Sequence, residues 1–173
     1  LKMAGIYLHI PFCEKKCLYC DFYSLPVSTA GHSSIERYLD SVKQEIHFRT
    51  QGNYSEEEFT TIFFGGGTPS LLSPDQYAAL LDILAASFRI SPTAEITLEV
   101  NPGTVNKLKL KEFYDIGINR LSIGVQSFFD DELAFLSRIH SSRDALAAVQ
   151  DAKEVGFQNI SIDLLYAFPH HSK

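Results

Sequence analysis

Three thiols stand within one short stretch, Cys13-Glu14-Lys15-Lys16-Cys17-Leu18-Tyr19-Cys20, directly after a strand-like run that ends at Ile10. Parallel α/β folds gather their sites at such strand ends. Thiolates are soft ligands suited to zinc or to iron–sulfur clusters, and a compact loop can turn all three toward one centre. A structural zinc site or an electron-transfer cluster normally has every coordination position filled. Three cysteines on a four-iron cluster leave one iron open, able to hold a substrate or cofactor. Zinc completed by His9 or His32, and three unligated cysteines, are the alternatives that these residues leave open. Three cysteines, odd in number and crowded together, make a poor disulfide framework.

A second group is Phe63-Phe64-Gly65-Gly66-Gly67-Thr68-Pro69-Ser70. Consecutive glycines let backbone amides approach a ligand with no side chain between. No Lys follows and neither GxGxxG nor GxxxxGK[ST] is matched, which argues against a nucleotide phosphate loop. A plain tight turn is the competing reading. Glu99, Gln126 and Asp163 lie within or at the ends of later apolar runs. A carboxylate or amide in a strand covered on both faces is costly unless it is paired or faces a cavity. Their recurrence on successive strands points to a shared barrel mouth.

The elements that must position these residues alternate between strand-like and helical. Strands are expected at Ile6 to Ile10, Thr60 to Phe64, Ile96 to Val100, Arg120 to Val125 and Asn159 to Leu165. Regular β-then-α order implies parallel strands with crossover helices. The first helix is expected from about Ser33, with Ser33 and Glu36 matching a capping box and Leu39, Val42 and Ile46 on one face. The second has Ser73 as N-cap, Pro74 at the first position and Gln76 closing a box. A third runs from about Thr104 to a stop at Gly117, and a short fourth covers about Asp130 to Leu136. A fifth begins near Ser141 or Ser142 and ends at Gly156. Leu25 to Gly31 and Glu56-Glu57-Glu58 read as loops or solvated ends.

The 173 residues carry 15 Lys+Arg against 21 Asp+Glu, a net charge of −6, and are 45% hydrophobic. This is the composition of a globular domain, shorter than the roughly 200 to 250 residues of a complete α/β barrel. Without a Lys/Arg run there is no electrostatic footprint for phosphate backbones, so nucleic acid is not an expected partner. No apolar stretch approaches the ~20 residues of a membrane span, and no secretory-type segment opens the sequence. Cytoplasmic residence is therefore expected. The text stops after Asp163-Leu164-Leu165-Tyr166-Ala167-Phe168-Pro169, where a longer α/β domain would continue. A partial barrel lacking its last strand is expected, with strand Asn159 to Leu165 as an apolar edge.

Taken together, these residues resemble the radical S-adenosylmethionine (SAM) superfamily, whose signature spacing CxxxCxxC is met by Cys13, Cys17 and Cys20. Tyr7-Leu8-His9-Ile10-Pro11-Phe12-Cys13, Gly65-Gly66-Gly67-Thr68-Pro69, Gly124-Val125-Gln126-Ser127 and Arg138-Ile139-His140 look like the branch of oxygen-independent coproporphyrinogen III oxidase and the HemW-type haem chaperones. The resemblance covers essentially the whole chain. It implies a partial (β/α) TIM-like barrel, one core domain over residues 1–173 as the N-terminal part of a longer barrel, with the C-terminal domain absent.

It also implies a 4Fe-4S cluster on the three cysteines, whose unique iron holds SAM for reductive cleavage to methionine and a 5′-deoxyadenosyl radical. Tyr7 and Tyr19 would lie beside cluster and cofactor. Gly66, Gly67 and Thr68 would meet the methionine end, and Glu99, Gln126, Arg138 and Asp163 occupy further cofactor-contact positions. Arg138 can pair with a carboxylate, and Glu99 or Asp163 can accept from ribose hydroxyls. His140 matches the branch, with a structural role expected. The implied partners are haem or a porphyrin, through regions outside this sequence, and an electron-donor protein. The decarboxylating oxidases usually carry a fourth cysteine two residues after the third, where this chain has Phe22. That favours haem handling over the oxidase. No HNxxYW-like motif is present, and Ala167-Phe168-Pro169-His170-His171 replaces a glycine-containing turn common in relatives.

Overall fold

The computed structural model describes residues 4–52, 54 and 57–169. Strands β1 (Ala4–Ile10), β4 (Glu58–Gly66), β5 (Arg89–Val100), β6 (Arg120–Gln126) and β7 (Asn159–Leu164) form one sheet in that order, every pairing parallel. A small pair, β2 (Phe12–Cys13) and β3 (Leu25–Pro26), lies at the top of β1. Helices α1 (Val27–Ala30), α2 (His32–Arg49), α3 (Pro74–Ser87), α4 (Lys107–Asp115), α5 (Asp130–Phe135) and α6 (Ser142–Val155) complete the order. This is an α/β fold of the TIM-like kind, with its sheet unclosed between β1 and β7 among the described residues.

Side chains alternate across a strand, so each strand divides its residues between two faces. One face holds Leu8, Ile10, Ile62, Phe64, Leu98, Val100, Leu121, Ile123 and Val125, all buried in one core with Leu80, Leu84, Leu110, Phe113 and Ala152 of the helices. The other face holds Tyr7, His9, Phe63, Gly65, Thr97, Glu99, Arg120, Ser122, Gly124, Ser161 and Asp163. A closed barrel fills its interior with layers of branched aliphatic side chains. Here that face is polar and small, which leaves room for a ligand.

The caps fix where the helices start. Ser73 accepts from the Gln76 backbone N–H while the Gln76 side chain accepts from the Ser73 N–H, and Ser141 does the same with Asp144. Gly117 and Gly156 end α4 and α6 with φ of 101° and 124°, a region that suits glycine. The start of α2 differs from expectation. Ser33 lies inside its first turn and caps nothing, because Gly31, at φ 77°, is the N-cap and already accepts from the Ser34 N–H. Leu25–Gly31 is not a loop but holds β3 and α1. α4 starts at Lys107 under an Asn106 cap, three residues later than expected, because Pro102–Thr104 form a separate 3₁₀ turn. β5 begins at Arg89, well before Ile96. Glu58 opens β4, and Glu56 lies outside the described residues.

At β7 the apolar face is poorly covered: Ile162 and Leu164 are 44% and 54% exposed. Its outer backbone edge has no strand partner among the described residues. Such edges pair with other chains. The 173-residue chain should therefore self-associate in sedimentation velocity at micromolar concentration. The double substitution Ile162→Lys, Leu164→Lys should shift it toward monomer, and a wild-type chain that sediments as a single monomeric species contradicts this.

Candidate functional site

The glycine segment turns out to be strand before it is turn. Gly65 and Gly66 continue β4 in register with His9 and Ile10, so the tight-turn reading fails there. The next two residues keep following the chain opposite: the Gly67 N–H donates to Ile10 O (2.8 Å) and the Thr68 N–H to Phe12 O (2.7 Å). A Cβ on Gly67 would stand 2.8 Å from Phe12 O and 3.0 Å from Cys13 Sγ. One on Gly66, whose φ is 121°, would meet the His9 ring at 2.8 Å. Bare backbone is what allows Cys13 to sit against this strip, buried, with Thr68 Oγ1 donating to its sulfur at 3.4 Å.

Cys17 and Cys20 lie further along the same loop, half-buried and tied by a Cys20 N–H to Cys17 O bond of 3.2 Å. Arg138 reaches them from the far side of the sheet. Its Nη1 lies 3.5 Å from Cys17 Sγ and 3.3 Å from the Tyr19 hydroxyl, and its Nη2 donates to Gly124 O at 2.7 Å. The Arg138 Nε is buried and has no hydrogen-bond partner among the described residues. Gln126 ends β6 at φ 69°, strained for a residue with a side chain, and a Cβ on Gly124 would lie 3.0 Å from its Nε2. Glu99 accepts from the Gly66 N–H at 3.0 Å, and Asp163 from Ser122 Oγ at 3.2 and 3.4 Å.

These residues line a single cleft of ≈ 740 Å³ that also takes in Phe22, Asn101 and Ser122. Tyr7 is the exception. Its ring lies beside Gly65 but faces an adjoining groove, where its hydroxyl is 3.1 Å from His9 Nδ1. His9 is thereby occupied, its Nε2 lying 2.8 Å from Tyr23 O. Of His32 nothing can be placed, since its side chain is outside the description. Asn101 and Ser122 escaped the sequence reading. The signal for Ser122 was the two-residue period of β6, which puts Arg120, Ser122, Gly124 and Gln126 on one face.

Burial raises the Glu99 pKa, as Asp163 does to a lesser degree, while the Gly66 N–H pulls it back. The Tyr19 hydroxyl is pushed up to about 12, chiefly by burial and against the pull of Arg138. His140 sits below the cleft, with Nε2 3.0 Å from Val125 O and Nδ1 3.4 Å from Arg138 Nη2. Burial first and the Arg138 charge second push its pKa down to about 4. A neutral ring can donate from Nε2 to the carbonyl and offer Nδ1 to the guanidinium.

Three thiols form a soft donor set of the kind that holds zinc or an iron–sulfur cluster. Among the described residues no three His, Cys, Asp or Glu donors converge on a single-ion position. Three thiols nevertheless line one cleft, which also offers the Arg138 guanidinium beside Cys17, two carboxylates and an amide. Those are partners for a zwitterionic, hydroxyl-bearing cofactor.

The family model described as "Radical SAM superfamily" matches residues 7–173, and the chain belongs to that superfamily. Within it, similarity runs to the HemW and HemN branch. The heme chaperone HemW of Bacillus subtilis is 38% identical over 168 residues, 96% of this chain and 43% of that protein. HemW of Escherichia coli is 38% identical over 174 residues, 99% of this chain and 45% of that one. The solved structure of coproporphyrinogen III oxidase (HemN) from Escherichia coli, described as a radical SAM enzyme, superposes with a TM-score of 0.88 at 32% identity. That match covers 96% of this chain and 38% of that chain. The chain thus spans less than half the length of these relatives.

Two outcomes follow from the geometry. Gly67→Ala should cost about 1–3 kcal/mol in denaturant unfolding, the range for overpacking, because the new methyl meets backbone rather than a flexible side chain. His140 contributes a pH dependence whose sign is set by its lowered pKa. As pH falls from the unfolded value of about 6.5 toward 4, the unfolded state takes up the proton first, so stability is full above that window and lost through it. The stability difference between wild type and His140→Gln should shrink from pH 7 to pH 4.5. A pH-independent difference would contradict this.

Proposed function

We propose that this chain is the cluster-bearing part of a HemW-like radical SAM protein acting in haem trafficking. The observation that carries the reading is one cleft lined by three loop thiols and by the Arg138 guanidinium, which lies 3.5 Å from Cys17 Sγ. It is supported by 38% identity to proteins named heme chaperones. Phe22, 69% exposed, stands where a fourth thiol would favour the oxidase.

In this reading Cys13, Cys17 and Cys20 would hold a 4Fe-4S cluster, and SAM would bind in the cleft that they line. When bound, that pair supplies reductive cleavage of the cofactor sulfonium. Arg138, whose guanidinium lies beside Cys17 and Tyr19, would pair with the cofactor carboxylate. Gly66, Gly67 and Thr68 present backbone to its methionine end, and Glu99, Gln126 and Asp163 orient the remainder. Tyr19 would shield one flank, whereas Tyr7 faces the adjoining groove. The partners are an electron-donor protein and haem or a porphyrin, and the setting is cytoplasmic. No helix among the described residues is long and apolar enough to cross a membrane.

The oxidase is the second reading, favoured by the superposition on HemN. Anaerobic reconstitution with iron and sulfide, followed by electron paramagnetic resonance with and without SAM, tests both. A cluster signal that shifts on adding SAM is expected. Zinc in place of iron in metal analysis overturns the reading, and decarboxylation of coproporphyrinogen III would favour the oxidase. Cys17→Ala should abolish the iron–sulfur absorption. Arg138→Ala should weaken SAM binding by about 1.5–3 kcal/mol in calorimetry, the range for a hydrogen bond to a charged group.

A further inference from the structure

Below the cleft, the polar face of β6 and β7 carries a row of groups for which cofactor contact gives no account. The register sets Arg120 opposite Asn159 and Ser122 opposite Ser161, with Asp163 one pleat further up, opposite Gly124. Arg120 Nη2 donates to Ser161 Oγ at 3.2 Å. Ser161 Oγ donates to Ser122 Oγ at 3.2 Å, and Ser122 Oγ donates to Asp163 Oδ2 at 3.2 Å. All three donors run the same way, from a cation in the floor to a carboxylate at the mouth. Thr97 Oγ1 accepts from Arg120 Nη1 at 3.3 Å, and Glu95, 3.9 Å from Nε, steadies the cation.

We propose that Ser122, backed by Ser161 and Arg120, is a positioning residue that orients the Asp163 carboxylate to accept the hydroxyls of a ribose. The proposal rests on the reading of the cleft as a SAM site. Ser122 is buried, whereas Asp163 is exposed to the cleft. Among the described residues Ser122 makes the hydrogen bonds recorded for Asp163, at 3.2 and 3.4 Å. A hydroxyl has one proton, and the lone pair that Ser161 occupies turns that proton toward the carboxylate. Held from below by that one proton, nearer Oδ2 than Oδ1, the carboxylate keeps its remaining lone pairs toward the cleft, where vicinal hydroxyls could donate to them. Without Ser122 the carboxylate is free to turn about its terminal torsion, which is broad and roughly two-fold. On the other side Glu99 lies opposite Ser122 in the β5–β6 register, but it is engaged by the Gly66 N–H.

The test is equilibrium binding to the reconstituted chain of SAM and of its 2′-deoxy and 3′-deoxy analogues. Wild type should bind at least one deoxy analogue about tenfold more weakly than SAM, and Asp163→Asn should abolish that preference. Ser122→Ala should lower SAM affinity about three- to tenfold and leave affinity for that analogue nearly unchanged, so the preference collapses. Ser161→Ala, one link further back, should move the same ratio less, and it carries the test if Ser122→Ala fails to take up its cluster. Added to Asp163→Asn, Ser122→Ala should cost nothing more. Equal loss for SAM and both analogues would mark a merely structural role and overturn the proposal, as would an unchanged preference. A cluster-loaded wild type that binds no SAM overturns the cofactor reading together with the proposal. Retained binding with an unaltered ratio overturns the positioning role alone.

Discussion

The arrangement depends on how closely the end of β4 lies against the chain leaving β1. From Gly65 to Thr68 the backbone runs beside His9 to Cys13 with hydrogen bonds as short as 2.7 Å, and at Gly66 and Gly67 there is no space for a Cβ. That approach sets the position of Cys13, and through Cys13 the start of the loop bearing the other thiols. It also turns the Gly66 N–H toward Glu99, so one strip of bare backbone joins the cysteine loop to β5. The strip is secured from behind: the Tyr77 hydroxyl donates to Pro69 O, and buried Ser70 accepts from the Asn101 N–H.

The sheet explains why a cleft exists there. Its helix-facing side is a continuous aliphatic and aromatic core in which Phe64, Tyr77 and Phe113 pack edge to face. With stability drawn from that side, the other is free to carry Thr97, Glu99, Arg120, Ser122 and Asp163, groups that would be costly inside a filled barrel. Their mutual hydrogen bonds satisfy them without closing the space above.

Arg138 is the junction between the two halves of the site. It spans from Gly124 of β6 to Cys17 and Tyr19 of the loop, and buried His140 lies against its guanidinium. Because burial and the Arg138 charge push the His140 pKa down to about 4, the imidazole is neutral at pH 7 and adds no second positive charge beside the guanidinium. An anionic group entering the cleft meets it with no competing cation on that ring.

The sequence by itself determined the order of elements and which residue types are available for chemistry. The spacing of Cys13, Cys17 and Cys20, the glycine run and the β–α alternation are local patterns, and each follows from short-range geometry: ligand type, absence of a side chain, period of burial. The caps at Ser73 and Ser141 were legible for the same reason. At Ser33 the local rule lost to the chain before it, where Gly31 had already set the helix entry. Only the tertiary structure decided that Gly65 and Gly66 are strand, that Tyr7 looks into a different groove from Tyr19, and that Arg138, 121 residues away, touches Cys17. It also decided that Ser122 belongs with Asp163. Parallel pairing brings together residues whose separation is set by whole crossover helices, and no period within one strand records which neighbour will lie beside it.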